Sequence, residues 1–313
     1  MLSPKYIAGF LDADGCIAVI WRGGKYSPQL AISFSQKEEQ DKVIQLIHKE
    51  FGGSFGTNVI GNGRYSRVSL RAGPAEKLLN RIKKHLVIKR HYANVCLDVI
   101  EKGKPMDLIT AKAYLKEQRR IKSLPLPNFP PRKWLAGYFD GDGCFFSRSQ
   151  IKGACQLNAS IACSYYDTEG IEIIHKSFGG SIRIMSQGNN VHQLWLGLPP
   201  SKAKQFIGYF AKHMIIKRDQ AYFILGCAEM GHYRDGKSIK SALKQLKAHP
   251  HRLNEPEVDV ASLLKIVNDK KWGRHGKIGD ACLGCHRSDI PHYAKGYCRD
   301  CYNYIRHNNQ KST

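Results

Sequence analysis

The sequence predicts an α+β fold made of two similar units in tandem, followed by a small metal-binding module. Three observations predict it. A nine-residue helical motif occurs twice, as "IAGFLDADG" at 7–15 and "LAGYFDGDG" at 135–143. Two further landmarks return at nearly the same spacing: "HKEFGGS" (48–54) as "HKSFGGS" (175–181), 127 residues on, and "HLVIKR" (85–90) as "HMIIKR" (213–218), 128 on, which is also the step from Asp14 to Asp142. Four of the ten cysteines cluster in two pairs near the C-terminal end, while the other six are scattered.

Each unit reads as helix, hairpin, helix, hairpin, helix. The strands rest on period-two alternation. In "QLAISFSQ", Leu30, Ile32 and Phe34 take one face, while Gln29, Ala31, Ser33 and Ser35 take the other. "RVSLR" sets Arg67, Ser69 and Arg71 against Val68 and Leu70, and "QLNASIAC" sets Gln156, Asn158 and Ser160 against Leu157, Ala159 and Ile161. Such a sheet can pack its apolar face on helices and turn the polar face outward, either to a ligand groove or merely to water. The expected boundaries are 1–103 for the first unit, 104–129 for a linker, 130–234 for the second unit, 235–279 for a basic helical connector and 280–313 for the cysteine module. Within the linker "DLITAKAYLKEQRRIKS" looks helical, and "LPLPNFPP" is extended because its prolines cannot continue a helix.

Composition narrows the partner. Lys plus Arg number 49 against 26 acidic residues, a net charge of +23 spread along the whole chain. A basic surface of that extent points to nucleic acid, with a solvated basic scaffold as the alternative. No apolar run reaches the length of a membrane span, and "MLSPKYIAGFLDADG" places acid where a signal peptide needs an apolar core. The expectation is a soluble, intracellular protein with reduced cysteines.

The repeated helix carries the chemistry. Small residues four apart, Gly9 with Ala13 and Gly137 with Gly141, lie on one helix face and suit two copies packed against each other. Gly15 and Gly143 are expected to end the helices in the left-handed C′ conformation. Asp14 and Asp142 then sit at helix C-termini, where the dipole disfavours a carboxylate by about 0.3–1 kcal/mol. A local rule broken twice at matching places marks function. Two carboxylates converging at paired helix ends would hold a divalent cation with hard oxygen ligands, Mg²⁺ above all, and such a site serves phosphodiester hydrolysis. A calcium EF-hand is excluded, since position 12 counted from Asp12 or Asp140 is Gly23 or Ile151 rather than Glu.

"IAGFLDADG" and "LAGYFDGDG" resemble the nonapeptide of the LAGLIDADG homing endonucleases, and the paired FGGS turns and "IKR" segments extend the resemblance over about 1–234. The resemblance implies two αββαββα halves joined at their motif helices, a β-saddle seated in the DNA major groove, and cleavage of both strands of a long asymmetric target. It implies Mg²⁺ held by the second acid of each motif, Asp14 and Asp142. Gln36 matches a polar residue that orders solvent around the metals, with Cys163 or Ser164 in its place in the second unit. Lys89 and Lys217 match a basic residue at the pocket edge, where charge could stabilise the phosphate or tune the attacking water. Asp12 and Asp140 are expected to support the turn rather than bind metal. Two motifs in one chain imply a monomer, whereas a single-motif relative would dimerise. Arg67, Arg71, Gln156, Asn158 and Arg183 are the candidate base readers on the polar strand faces. The resemblance further implies a gene carried by a mobile intron or intein, in the cytoplasm or nucleoid of a prokaryotic or phage-infected cell or in an organelle. The rival reading is a non-cleaving binder, either an intron RNA maturase or a transcription regulator.

In the tail, Cys282, Cys285, Cys298 and Cys301 form C-x₂-C-x₁₂-C-x₂-C, a spacing that can close a tetrahedron around structural Zn²⁺, with His286 and His292 as substitute donors. The segment resembles small zinc-ribbon or zinc-finger modules over about 280–305. Arg287, Lys295 and Arg299, interleaved with tyrosines, would grip a DNA backbone and lengthen the footprint.

Overall fold

The computed structural model describes residues 1–22, 27–102, 108–149, 155–164, 168–187, 191–198, 200–229, 236–248, 259–265, 292–294 and 297–298. The first unit runs α1 (Pro4–Asp14), β1 (Gly15–Arg22), β2 (Ser27–Lys37), α2 (Lys42–Phe51), β3 (Ser54–Ile60), β4 (Gly63–Arg71), α3 (Gly73–Ile82) and α4 (Arg90–Lys102). After α5 (Leu108–Gln118) in the linker, the second unit repeats the order with α6 (Arg132–Asp142), β5 (Gly143–Ser149), β6 (Cys155–Ser164), α7 (Glu169–Phe178), β7 (Ser181–Gln187), β8 (Val191–Leu198), α8 (Pro200–Phe210) and α9 (Arg218–Glu229). Helix α10 (Gly236–Ala248) and the short strands β9 (His292–Ala294) and β10 (Tyr297–Cys298) follow.

The two units build matching antiparallel sheets, ordered β1-β2-β4-β3 and β5-β6-β8-β7. The alternation read in β2 has the expected consequence: Leu30, Ile32 and Phe34 are buried under the helices. Register carries the faces across the sheet. Ser33 pairs with both Cys16 and Ser69, Ala31 with Ala18 and Arg71, and Ser35 with Arg67, so these residues share the opposite face. Helix α2 buries Val43, Ile44, Ile47 and Phe51. Helix α3 buries Ala75, Leu78, Leu79 and Ile82, a spacing that places one stripe on the core.

Among the described residues, the left-handed glycines are Gly61 between β3 and β4 (φ 57°) and those of the FGGS turns, where Gly52, Gly53, Gly179 and Gly180 have φ of 78°, 89°, 72° and 111°. This corrects the expectation for Gly15 and Gly143, which are extended (φ −85°, ψ 153° and φ −77°, ψ 152°). Each motif helix passes straight into a strand, so no reversal is needed. Glycine is required there for space instead: a methyl on Gly15 would overlap Leu11, and one on Gly143 would overlap Phe139.

Between the units, "LPLPNFPP" forms no helix or strand and is tied to the second unit, where the Tyr209 hydroxyl donates to the Pro130 carbonyl (3.2 Å) and the Lys176 ammonium to the Asn128 side-chain oxygen (3.3 Å). Among the described residues, no helix is long and apolar enough to cross a membrane.

Candidate active site at the paired helix ends

Helices α1 and α6 pack against each other along the motif, and from Tyr6 to Asp12 and from Trp134 to Asp140 every residue is buried. Glycine makes the approach possible. A methyl on Gly9 would overlap the Trp134 carbonyl, and one on Gly137 would overlap the Tyr6 carbonyl, so each backbone occupies the other's missing side chain. At the C-terminal ends only one methyl fits. It belongs to Ala13, because a Cβ built on Gly141 would lie 2.5 Å from the Ala13 Cβ and 3.1 Å from Asp14 Oδ2. The Asp14 carboxylate thus reaches across to the residue that precedes Asp142.

Lysines answer the question raised by acids at helix C-termini. The Lys89 Nζ donates to the carbonyls of Leu11 (2.7 Å), Asp12 (2.9 Å) and Gly15 (2.8 Å), and Lys217 Nζ to those of Phe139 (3.0 Å), Asp140 (2.7 Å) and Gly141 (3.0 Å). The carbonyls of Asp12, Asp140 and Gly141 lie in the last turn, where a helix end leaves such groups without intrahelical partners, while those of Leu11 and Phe139 also accept the N–H of Gly15 and Gly143; each ammonium offsets the negative dipole end where the acid sits. Burial pushes the Asp14 carboxyl above the ordinary carboxylate range, while the charges of Lys217 and Lys89 and a hydrogen bond from Gln36 pull it back down. Lys217 is pushed below the ordinary amine range by burial and supported by Asp140, Asp14, Cys144 and Asp142. Both acids and the lysine therefore share one electrostatic neighbourhood.

Gln36 donates its side-chain amide to Asp14 Oδ2. Strand register puts Cys163 in the matching place: Gln36 lies two residues past Phe34, the partner of Gly15, and Cys163 two past Ile161, the partner of Gly143. Cys163 is buried. Asp12 and Asp140 face inward. Asp12 accepts from the backbone N–H of Val87 and Lys89 (both 2.8 Å), and Asp140 from those of Ile215, Ile216 and Lys217 (2.7, 3.2 and 2.8 Å), so each first acid holds the loop that carries its unit's lysine. Two aromatic donors to these acids, Tyr6 and Trp134, went unread in the sequence, although they occupy equivalent motif positions 128 residues apart.

Of the candidate base readers, Arg67, Arg71 and Arg183 are exposed, with Arg67 Nη2 donating to Ser33 Oγ (3.3 Å). Asn158 lies on the corresponding face of the second sheet yet is only 8% exposed, beside Ser160 at 3%, in the unit where α10 packs on β5 and β6. The side chain of Gln156 lies outside the described residues, as do the side chains of Cys282, Cys285, Cys298, Cys301, Arg287, Lys295 and Arg299. The backbone of β9 and β10 forms a small antiparallel ladder that includes Cys298, the first cysteine of the second pair. Among the described residues no cluster of three or more metal-ligating side chains occurs.

Residues 135–229 match the model of the LAGLIDADG endonuclease family. No curated protein matches the chain in sequence. The fold is similar to the LAGLIDADG homing endonuclease I-GzeII in complex with its DNA target, at 14% identity and a TM-score of 0.59 over 82% of this chain and 100% of that one. It is likewise similar to I-SmaMI bound to cleaved DNA (18%, 0.54, 79% and 96%) and to I-SmaMI bound to uncleaved DNA in the presence of calcium ions (17%, 0.55, 80% and 100%).

Proposed function

We propose, for a chain with the LAGLIDADG fold whose second unit matches that endonuclease family, that it is a site-specific DNA endonuclease acting as a monomer on a long asymmetric duplex. The observation that carries this is the seating of Asp14 against the residue before Asp142, with a lysine bound beneath each helix end. Two carboxylates, with no third metal-ligating side chain clustered beside them among the described residues, suit Mg²⁺, which is usually held by one or two carboxylates plus substrate phosphate and water. Asp14 and Asp142 would hold it; when bound it polarises the phosphate and lowers the pKa of coordinated water.

The protein's own groups do the rest. Gln36 fixes one oxygen of Asp14, so that the carboxylate is oriented before DNA arrives. Lys89 and Lys217 neutralise the helix ends and supply positive charge beside a phosphate whose own negative charge increases during attack. The polar sheet face, with Arg67 and Arg71 in one unit and Arg183 in the other, offers donors for base edges and phosphates. In the tail, Cys282, Cys285, Cys298 and Cys301 would hold structural Zn²⁺ and present Arg287, Lys295 and Arg299 to the DNA backbone. This module extends the footprint beyond the two units, and stoichiometric zinc in freshly purified protein is the expected result of metal analysis.

The test is cleavage of a randomised duplex library. Cutting of both strands in Mg²⁺ with binding alone in Ca²⁺ supports the reading. Binding to intron RNA, or to duplex without cutting, would replace it with the maturase or regulator alternative.

A further inference from the structure

The first acids of the two motifs are tethered across the interface, and the tethers are crossed. The Tyr6 hydroxyl, on α1, donates to Asp140 Oδ2 at 2.6 Å, and Trp134 Nε1, on α6, donates to Asp12 Oδ2 at 2.8 Å. All four residues are buried: Tyr6 is 2% exposed, Asp12 4%, and Trp134 and Asp140 0%. Each acid spends its remaining acceptor capacity on its own unit. Asp140 takes the backbone N–H groups of Ile215, Ile216 and Lys217, and Asp12 those of Val87 and Lys89. The chain of contacts therefore runs from an aromatic on one motif helix, through an acid on the other, to the backbone of the residue whose ammonium sits under the second helix end.

We propose that Tyr6 and Trp134 are crossed positioning residues: Tyr6, in the first unit, sets the placement of Lys217 in the second, and Trp134, in the second, sets Lys89 in the first. The inference rests on the endonuclease reading for its effect on cutting, but not for its effect on the loops. Orientation alone gives it weight, because a buried carboxylate with three or four fixed donors has one placement, and losing the donor from the opposite helix frees it to follow its own loop. The phenol keeps its proton to donate, since burial and the neighbouring Asp140 hold its pKa well above the ordinary tyrosine value. Contact with the interface is not the basis of the proposal. The crossing is.

Two measurements on the full chain test it. In backbone amide hydrogen exchange, Tyr6→Phe is expected to speed exchange at Ile215–Lys217 at least tenfold and leave Val87–Lys89 unchanged, and Trp134→Phe to do the reverse. Uniform change at both loops, or change at neither, overturns the proposal whether or not the protein cuts DNA. For chemistry, the duplex selected by the wild type is labelled on each strand, and nicking is measured per complex bound. Lys217→Met and Lys89→Met identify the strand each lysine serves. Tyr6→Phe is expected to slow by about tenfold the strand slowed by Lys217→Met. Trp134→Phe is expected to slow the strand of Lys89, and Trp134→Tyr, which keeps a donor, to recover most of that rate. Slowing of the same-unit strand, or equal slowing of both, contradicts the crossing. A wild type that cuts no duplex while showing the crossed exchange pattern would sink the endonuclease reading and leave the tether standing. Should Trp134→Phe fail to fold, Tyr6→Phe alone decides both tests.

Discussion

The two halves of the site differ where their scaffold is the same. Both present a helix ending in an acid, a lysine capping its carbonyls and a first acid holding the lysine loop. Yet the first half has Ala13 where the second has Gly141, and Gln36 where the second has Cys163, while Lys217 is buried and Lys89 is only partly so. The shared features are those that backbone packing and helix ends impose. The differences lie at positions around the acids, so the duplication has kept the frame and let the two centres diverge.

The largest expected effect strikes what the two halves share. Asp14→Asn or Asp142→Asn should abolish double-strand cutting, by about 10³-fold or more, while binding in Ca²⁺-free buffer stays nearly intact. Loss of binding with chemistry per complex preserved would contradict the assignment. Next is the single methyl that fits between the helix ends. Gly141→Ala places a second one 2.5 Å from Ala13 and crowds Asp14, and should cost about 10²-fold in cutting. Ala13→Gly only opens space and should cost far less. The double exchange, Ala13→Gly with Gly141→Ala, should recover part of the loss, and no recovery would mean that the crowding is not mutual.

A smaller effect concerns pH. Burial raises the Asp14 pKa, so its carboxylate protonates, and divalent-cation affinity falls, at a higher pH than for an ordinary aspartate. Gln36→Met deletes a hydrogen bond that lowers this pKa, and should move the acid limb of cation binding upward. Titration calorimetry with a divalent cation over a pH series would show it. Cys163→Ala should leave that limb in place. The smallest effect is expected on the sheet faces. Arg67→Ala and Arg183→Ala should each lower the log–log salt slope of DNA binding by about 0.9 if they meet phosphate, and relax one base position if they read an edge.

Much of the frame was legible because it depends on periodicity and repetition. Alternation in "QLAISFSQ" located the core face, and the matched landmarks located the pair of packed helices. Asp14, Asp142, Lys89, Lys217 and Gln36 come together in the structure as a sequence neighbourhood alone could not show, since they converge only after two units dock. What escaped reading has physical reasons. The glycine after each motif is needed for space against Leu11 and Phe139, which only the passage from helix to strand reveals. The burial of Asn158 could not be read from alternation, which locates a face but not what covers it. Tyr6 and Trp134 read as apolar anchors until their polar atoms are seen to meet acids contributed by the opposite helix.

The direct passage from α1 into β1, and from α6 into β5, leaves no loop between each acid and its sheet. Asp14 and Cys16, whose side chain shares a face with Ser33 and Ser69, are two residues apart in continuous regular structure. On the proposed function, misalignment of a sheet on a poorly matched duplex would have no hinge in which to dissipate, so it would tilt the carboxylate with it. Fidelity in such a molecule can be enforced at the bond-breaking step as well as at docking, by rigidity alone.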